Sequence, residues 1–206
     1  MLVNNSHFEL DTSPKYFGCH GGLFEDGQYI DTSKQEGAEM DHHDVIGTIS
    51  RGYGSLPAPD FLNAFPYRCL SERAIDLFRK EQLTLWKGFH WVPVRIVRQS
   101  GKSVARYWWA KFDRRVDFDV FDYEHSKYTK FRPEDLKNPK EVVADRVSNW
   151  VLRGNMIGSL DFFHGCLVRW YGSLRLKQLV ETHKLRGFNF TSVGIWLDRG
   201  TKRERN

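Results

Sequence analysis

CLSERAIDLFRKEQLTLWKGFHWVPV, residues 69–94, decides the fold, because the chain repeats its pattern at residues 173–193 as SLRLKQLVETHKLRGFNFTSV. With Ser71 set against Ser173 and one gap of three residues before Gly88, seven pairs are identical: Ser71/Ser173, Arg73/Arg175, Leu77/Leu179, Leu83/Leu185, Gly88/Gly187, Phe89/Phe188 and Val94/Val193. Each copy opens on a serine suited to cap a helix, since its hydroxyl can accept a bond from a free first-turn N–H. In the first copy Ala74, Leu77 and Phe78 share one face at i, i+3, i+4, which predicts a helix over 71–83. A glycine then supplies a turn, and a short apolar strand follows.

Working outward, FHWVPVRIV (89–97) and VARYWWAKF (104–112) flank the turn GKS (101–103) and predict an antiparallel hairpin. Pro93 has no N–H to give a ladder, so an edge position or a bulge is expected there. VDFDVFDY (116–123) alternates Val116, Phe118 and Val120 against Asp117 and Asp119, the period of a half-buried strand. Further on, Asn138, Pro139 and Glu141 resemble a helix start, and Val143, Val147, Trp150 and Val151 follow at helical spacing, with Gly154 and Gly158 as the stop. LDFFHGCLVRWY (160–171) predicts short strands around Gly165.

Residues 1–66 are punctuated by glycine and proline, as in GCHGGLFEDGQ and RGYGSLPAPDF, and short strands and loops are expected there, with strand pieces above all at Tyr29–Ile30 and Val45–Ile49. Without a steady βαβ rhythm, the class is α+β: a mainly antiparallel sheet with packed helices, two similar helix–strand units and a loop-rich N-terminal segment. The expected organisation is an acidic segment 1–66 packed on a main domain 67–197, which carries the repeat, and a polar tail 198–206.

The net charge of +5 hides a split. Residues 1–60 hold three basic against ten acidic residues, a balance of −7, and the remainder holds 28 against 16, a balance of +12. An acidic third would repel phosphate, so the split fits a protein that meets another protein through complementary charge better than one that coats nucleic acid. No apolar run approaches the ~20 residues of a membrane span, and the N-terminus lacks the features of a secretory signal, so a cytoplasmic location is expected. Three cysteines without a CxxC indicate neither a disulfide framework nor a zinc ribbon.

The chemistry-bearing residues are sparse. Cys19, His20, His42 and His43 show no metal-ligand spacing. His164 and Cys166 are two residues apart, but a nucleophile needs a base and an orienting group in space, and a free cysteine is more often a small buried hydrophobe, as expected also of Cys69. His90 and His183 lie inside the repeated units, where packing or capping is the expected role. Asp113, Asp117, Asp119, Asp122 and Glu124 form a short acidic series whose neutralisers, Lys111, Arg114 and Arg115, lie beside it. SGKS at 100–103 lacks the long glycine loop and the following helix of a phosphate cradle. RYWWAKF interleaves basic and aromatic residues as single-strand binders do, but Trp108 and Trp109 on opposite faces of a strand place at least one in the core. No enzyme, cofactor or metal is indicated.

The stretch 68–193 resembles bacterial immunity proteins of polymorphic toxin systems, closest to immunity protein family eleven, with immunity protein family forty-three nearby. The resemblance rests on LSERAIDLFRKEQLTLWKGFHWVPV, on YWWAKFDRRVDFDVFDYEHS with Asp119, Asp122 and Ser126, and on SLRLKQLVETHKLRGFNF. The chain departs from the pattern at Leu174, where a second Glu would stand. The resemblance implies a protein that binds and neutralises a cognate toxin, encoded next to it, without catalytic residues of its own.

The leading expectation is therefore a cytoplasmic immunity protein acting by stoichiometric occlusion. Its partner-binding candidates are Glu25, Asp26, Asp31, Glu36, Glu39, Asp41 and Asp44, a dense acidic loop segment, together with Asp117 and Asp119. The alternative is a nucleic-acid-associated module using the basic region 61–206. An enzyme built on His164, Cys166 or the aspartate series is the third.

Overall fold

A computed structural model of the chain describes residues 2–12, 23–25, 28–29, 45–49, 58–64, 67–98, 102–112, 120–130, 144–165 and 169–197. It is rich in strand, with few helices and mixed sheets, consistent with the α+β class. The strands are β1 (Leu2–Thr12), β2 (Leu23–Glu25), β3 (Gln28–Tyr29), β4 (Val45–Ile49), β5 (Phe61–Ala64), β6 (Tyr67–Ser71), β7 (Phe89–Arg98), β8 (Ser103–Phe112), β9 (Lys127–Lys130), β10 (Ala144–Asn149), β11 (Val151–Arg153), β12 (Phe162–Gly165), β13 (Arg169–Ser173) and β14 (Phe188–Trp196). The helices are α1 (Glu72–Lys80), α2 (Gly154–Ile157) and α3 (Leu174–Thr182).

Seven strands form one sheet in the order β3-β2-β4-β7-β8-β6-β5, five form a second in the order β11-β14-β1-β13-β12, and β9 pairs with β10. The run β4-β7-β8-β6-β5 of the first sheet has the pairing directions of the whole second sheet. In each, one parallel pair (β4 with β7, β11 with β14) is followed by three antiparallel ones. The register agrees too. Tyr107 lies opposite both Ser71 and Val94, and His7 lies opposite both Ser173 and Val193. β1 therefore occupies in the second sheet the place that β8 occupies in the first, although it comes from the other end of the chain.

The sequence reading assigns no strand to residues 2–12, yet β1 is the middle strand of its sheet. LVNNSHFELDT is too polar to look like a buried strand, and its register is set by partners more than 150 residues away. The expected helix over 139–151 is also corrected where it is described: Ala144–Asn149 and Val151–Arg153 form β10 and β11. Four apolar residues coincide with helical spacing there. However, Val151 and Leu152 are both buried and pair with Gly194 and Ile195, and β-branched valines suit that pleated surface. Gly154 and Gly158 bracket the single turn α2. Pro93 lies one residue before the stretch of β7 that pairs with β4, so its missing N–H costs no bond on that side.

One core lies among both sheets, α1 and α3, built around Phe61, Phe78, Phe89, Phe162, Trp170 and Leu176. Phe89 stacks on Trp170 with centroids 4.9 Å apart, and Phe61 stacks on Phe188 at 4.9 Å. A second cluster on the opposite face of the seven-stranded sheet holds Val45, Leu62, Cys69, Val92, Val94, Ile96, Tyr107 and Trp109.

Candidate functional site

Where the two halves meet, each grips the end of the other's helix. Ser71 and Ser173 cap α1 and α3, accepting from the N–H of Ala74 and Leu176 at 3.1 Å. Each serine hydroxyl donates in turn to a buried aspartate: Ser71 to Asp60 Oδ1 at 2.7 Å, and Ser173 to Asp161 Oδ1 at 2.6 Å. The other carboxylate oxygen reaches across. Asp60 Oδ2 accepts from the Arg186 N–H at 2.8 Å, beyond the end of α3, and Asp161 Oδ2 accepts from the Thr84 N–H at 2.9 Å, beyond the end of α1. The arginine two residues after each serine completes the grip. Arg73 donates to the His183 carbonyl at 2.6 Å, and Arg175 donates to the Glu81 and Gln82 carbonyls; each also meets its own half's aspartate. A cation on the last carbonyls of a helix neutralises both unsatisfied acceptors and the dipole. Gln82 and Lys184, just past the two helices, take positive φ of 53° and 51°, the left-handed turn that closes them.

Against this shared framework stands a cleft of about 410 Å³ on the first half, lined by residues of β4, β7, β8 and the start of α1. Val45, Pro93 and Trp108 give it apolar surface, and Glu72, Arg95 and Arg106 give it charge. The Arg79 guanidinium lies 5.8 Å from the Trp108 ring. A second, more polar cleft of about 400 Å³ surrounds the turn after Phe121 and is lined by Tyr123, Glu124, His125, Arg153, Asn155 and Trp196. Asp122 organises that turn: its Oδ1 accepts from the Glu124 and His125 N–H groups at 3.0 Å, and its Oδ2 lies 3.0 Å from His125 Nδ1. The His125 ring stacks on Trp196, centroids 3.5 Å apart. Ser126 both donates to the Val151 carbonyl and accepts from its N–H, tying the turn to β11.

Of the expected partner-binding residues, Glu25 falls at the end of β2. Asp26, Asp31, Glu36, Glu39, Asp41, Asp44, Asp117 and Asp119 lie outside the described residues, as do Cys19, His20, His42, His43 and Cys166. Cys69 is fully buried, and burial pushes its thiol up to about 12 despite the neighbouring Arg68, so it stays protonated and unreactive. His164 packs among Phe112, Trp170 and Trp86. His90 is exposed on β7, and His183 ends α3. Trp109 is buried in the second cluster and Trp108 is packed against the first core. Among the described residues no group of three or more His, Cys, Asp and Glu comes together to hold a metal, and no helix is long and apolar enough to cross a membrane.

Sequence reasoning missed Asp60 and Asp161, the centres of the two grips. A signal was present: the dipeptide Asp-Phe stands before each capping serine, at 60–61 and at 161–162.

No curated protein matches the chain. The Immunity protein family (Imm11) matches residues 1–195, so the match takes in the N-terminal segment that the resemblance left aside. That extent agrees with β1, which lies between β13 and β14 in the second sheet. The chain belongs to the Immunity protein family (Imm11).

Proposed function

We propose that this protein binds a cognate toxin and neutralises it by stoichiometric occlusion, from the cytoplasm of the cell that makes both. The observation that carries the proposal is the family match over residues 1–195. The reciprocal grips support it, since they describe a rigid double framework that presents loops and clefts, as recognition requires. In this reading the two helix–strand units, in mainly antiparallel sheets, are framework and the acidic segment 25–44 carries specificity. Glu25, Asp26, Asp31, Glu36, Glu39, Asp41 and Asp44, with Asp117 and Asp119, meet a basic surface of the toxin, and charge complementarity speeds the encounter. The protein works without a cofactor and without turnover, and the toxin is encoded beside it.

The test is protection and binding together. Cells expressing the neighbouring toxin gene should survive only when this chain is present, and the two proteins should co-elute one to one. Triple reversal of Glu36, Glu39 and Asp41 to lysine should slow association by about tenfold or more with little change in dissociation. A chain that neither protects nor binds, but holds single-stranded nucleic acid with an affinity falling steeply with salt, would establish the alternative module instead.

A further inference from the structure

We infer that the turn Asp122–Ser126 and the cleft around it are a contact site for the toxin, where the Glu124 carboxylate receives a lysine or arginine of the toxin beside an apolar rim. The inference rests on the binding reading above and extends it from the acidic segment 25–44 to the equivalent place in the other half.

The equivalence follows from the order of the strands. The first half runs β4, β5, β6, α1, β7, β8. The second runs β11, β12, β13, α3, β14, with β1 as its last strand, carried to the other end of the chain. The molecule is thus a circularly permuted repeat, and two connections join its halves. One leaves β1 at Thr12, opposite Phe188, and enters β4 at Val45, opposite Val94. The other leaves β8 at Phe112, opposite Phe89, and enters β11 at Val151, opposite Gly194. Phe89 and Phe188 are an aligned pair of the repeat, and so are Val94 and Val193, the residue before Gly194. Each connection contains a short antiparallel pair of its own, β2 with β3 and β9 with β10.

The grips that hold the fold lie in the repeated halves. The acidic residues lie mostly in the connections. Over the whole sequence, residues 13–44 and 113–150 are about a third of the chain, yet they hold 16 of its 26 acidic residues and only ten of its 31 basic ones. Their balance is −6, and that of the rest is +11. Such connections suit a basic partner surface.

The turn in the second connection is held rigidly from several sides. Asp122 holds the Glu124 and His125 N–H groups and the His125 ring, that ring lies on Trp196, and Ser126 is tied to Val151. Glu124 stands exposed on this fixed turn, and its carboxylate has no ion pair among the described residues. A carboxylate already held in place loses little freedom when a cation binds it. Arg153, exposed on the same cleft, can donate to a carbonyl of the same toxin segment. Apolar side chains surround these polar groups. Of the four large hydrophobic residues exposed among the described residues, three lie on the elements that line the cleft. Leu2 is opposite Trp196, Leu197 follows Trp196 and lies against Gly154, and Met156 follows Asn155. Exposed apolar groups gathered around a tryptophan and an arginine are the composition of an interface centre.

The experiment uses the full chain and the toxin domain encoded beside it, inactivated in its own active site. Glu124→Lys and Met156→Asp are compared with Asp76→Lys, a charge reversal at an exposed position of α1, and thermal melting checks that each is folded. Glu124→Lys should weaken binding by about tenfold or more and Met156→Asp by about threefold or more, while Glu124→Asp retains most of it and Asp76→Lys changes it less than about twofold. Folded Glu124→Lys binding as tightly as the unaltered chain overturns this contact and leaves the immunity reading standing. An unaltered chain that neither binds nor protects overturns the immunity reading and the contact with it.

Discussion

The first half of the molecule, β4 to β8 with α1, and the second half, β11 to β14 with α3 and β1, solve one packing problem with the same residues and then diverge at their surfaces. Asp60, Ser71 and Arg73 are matched by Asp161, Ser173 and Arg175, down to which atoms donate and which accept. The difference teaches where selection for folding ends. The grips, two pairs of core phenylalanines (Phe61 with Phe162, Phe89 with Phe188) and the helix ends are shared, whereas the cleft beside α1 and the short strands β2 and β3 have no counterpart among the described residues of the second half.

Removing one grip should have the largest effect on the molecule. Asp60 and Asp161 are 4% and 5% exposed, and each satisfies a buried serine hydroxyl, a backbone N–H and a guanidinium. Replacing either with alanine leaves those donors without their acceptor, which costs about 3 kcal/mol. Because each aspartate also holds the segment beyond the other half's helix, Asp60→Ala and Asp161→Ala should cost similar amounts in urea denaturation. A large loss from only one of them would show that the halves are equal in geometry but not in energy.

These grips also mark the limit of what the sequence made legible. Ser71 and Ser173 could be read as caps because capping is decided within three residues. The hairpin of β7 and β8 could be read because its turn and its alternating apolar residues are contiguous. Asp60 and Asp161 left only the repeated Asp-Phe as a sign, because they lie 11 and 12 residues before their serines and meet them only across paired strands. β1 was illegible for the same reason: its polar sequence is rescued by neighbours that arrive from the far end of the chain. The cleft was legible only as composition, since Arg95 and Arg106 face each other by the register of β7 on β8.

A smaller effect is expected at one aligned pair of glycines. Gly88 and Gly187 hold the same place in the repeat but for different reasons. Gly187 has φ +92°, and a Cβ there would strike the Phe61 carbonyl, so Gly187→Ala is strained in its own backbone and blocked by another one. At Gly88 the obstacle is the Trp86 ring, a side chain that can shift at the expense of its packing. Gly187→Ala should cost about 2–3 kcal/mol and Gly88→Ala about 1 kcal/mol, read from denaturant midpoints at constant slope. Equal costs would mean that Trp86 is as immovable as backbone.

The mildest change completes the likeness instead of breaking it. Tyr107 donates its hydroxyl to the Pro59 carbonyl at 2.5 Å, next to Asp60. At the matching register stands His7, facing the Leu160 carbonyl next to Asp161. Burial lowers the His7 pKa below 6.5, and it outweighs the opposing pull of the Leu160 carbonyl and the Asp161 charge. The unfolded chain therefore binds a proton at a higher pH than the folded one. The contribution of neutral His7 to stability is complete above 6.5 and drains away as the pH falls toward the lower folded value. His7→Tyr installs the first half's residue and removes that titration. Stability should then fall less steeply below pH 6.5 than in the unaltered chain, whose other titrating groups are the same. Urea midpoints measured for both proteins across that range isolate the contribution of His7. Parallel curves would show that the proton on His7 is held equally by the folded and unfolded chains.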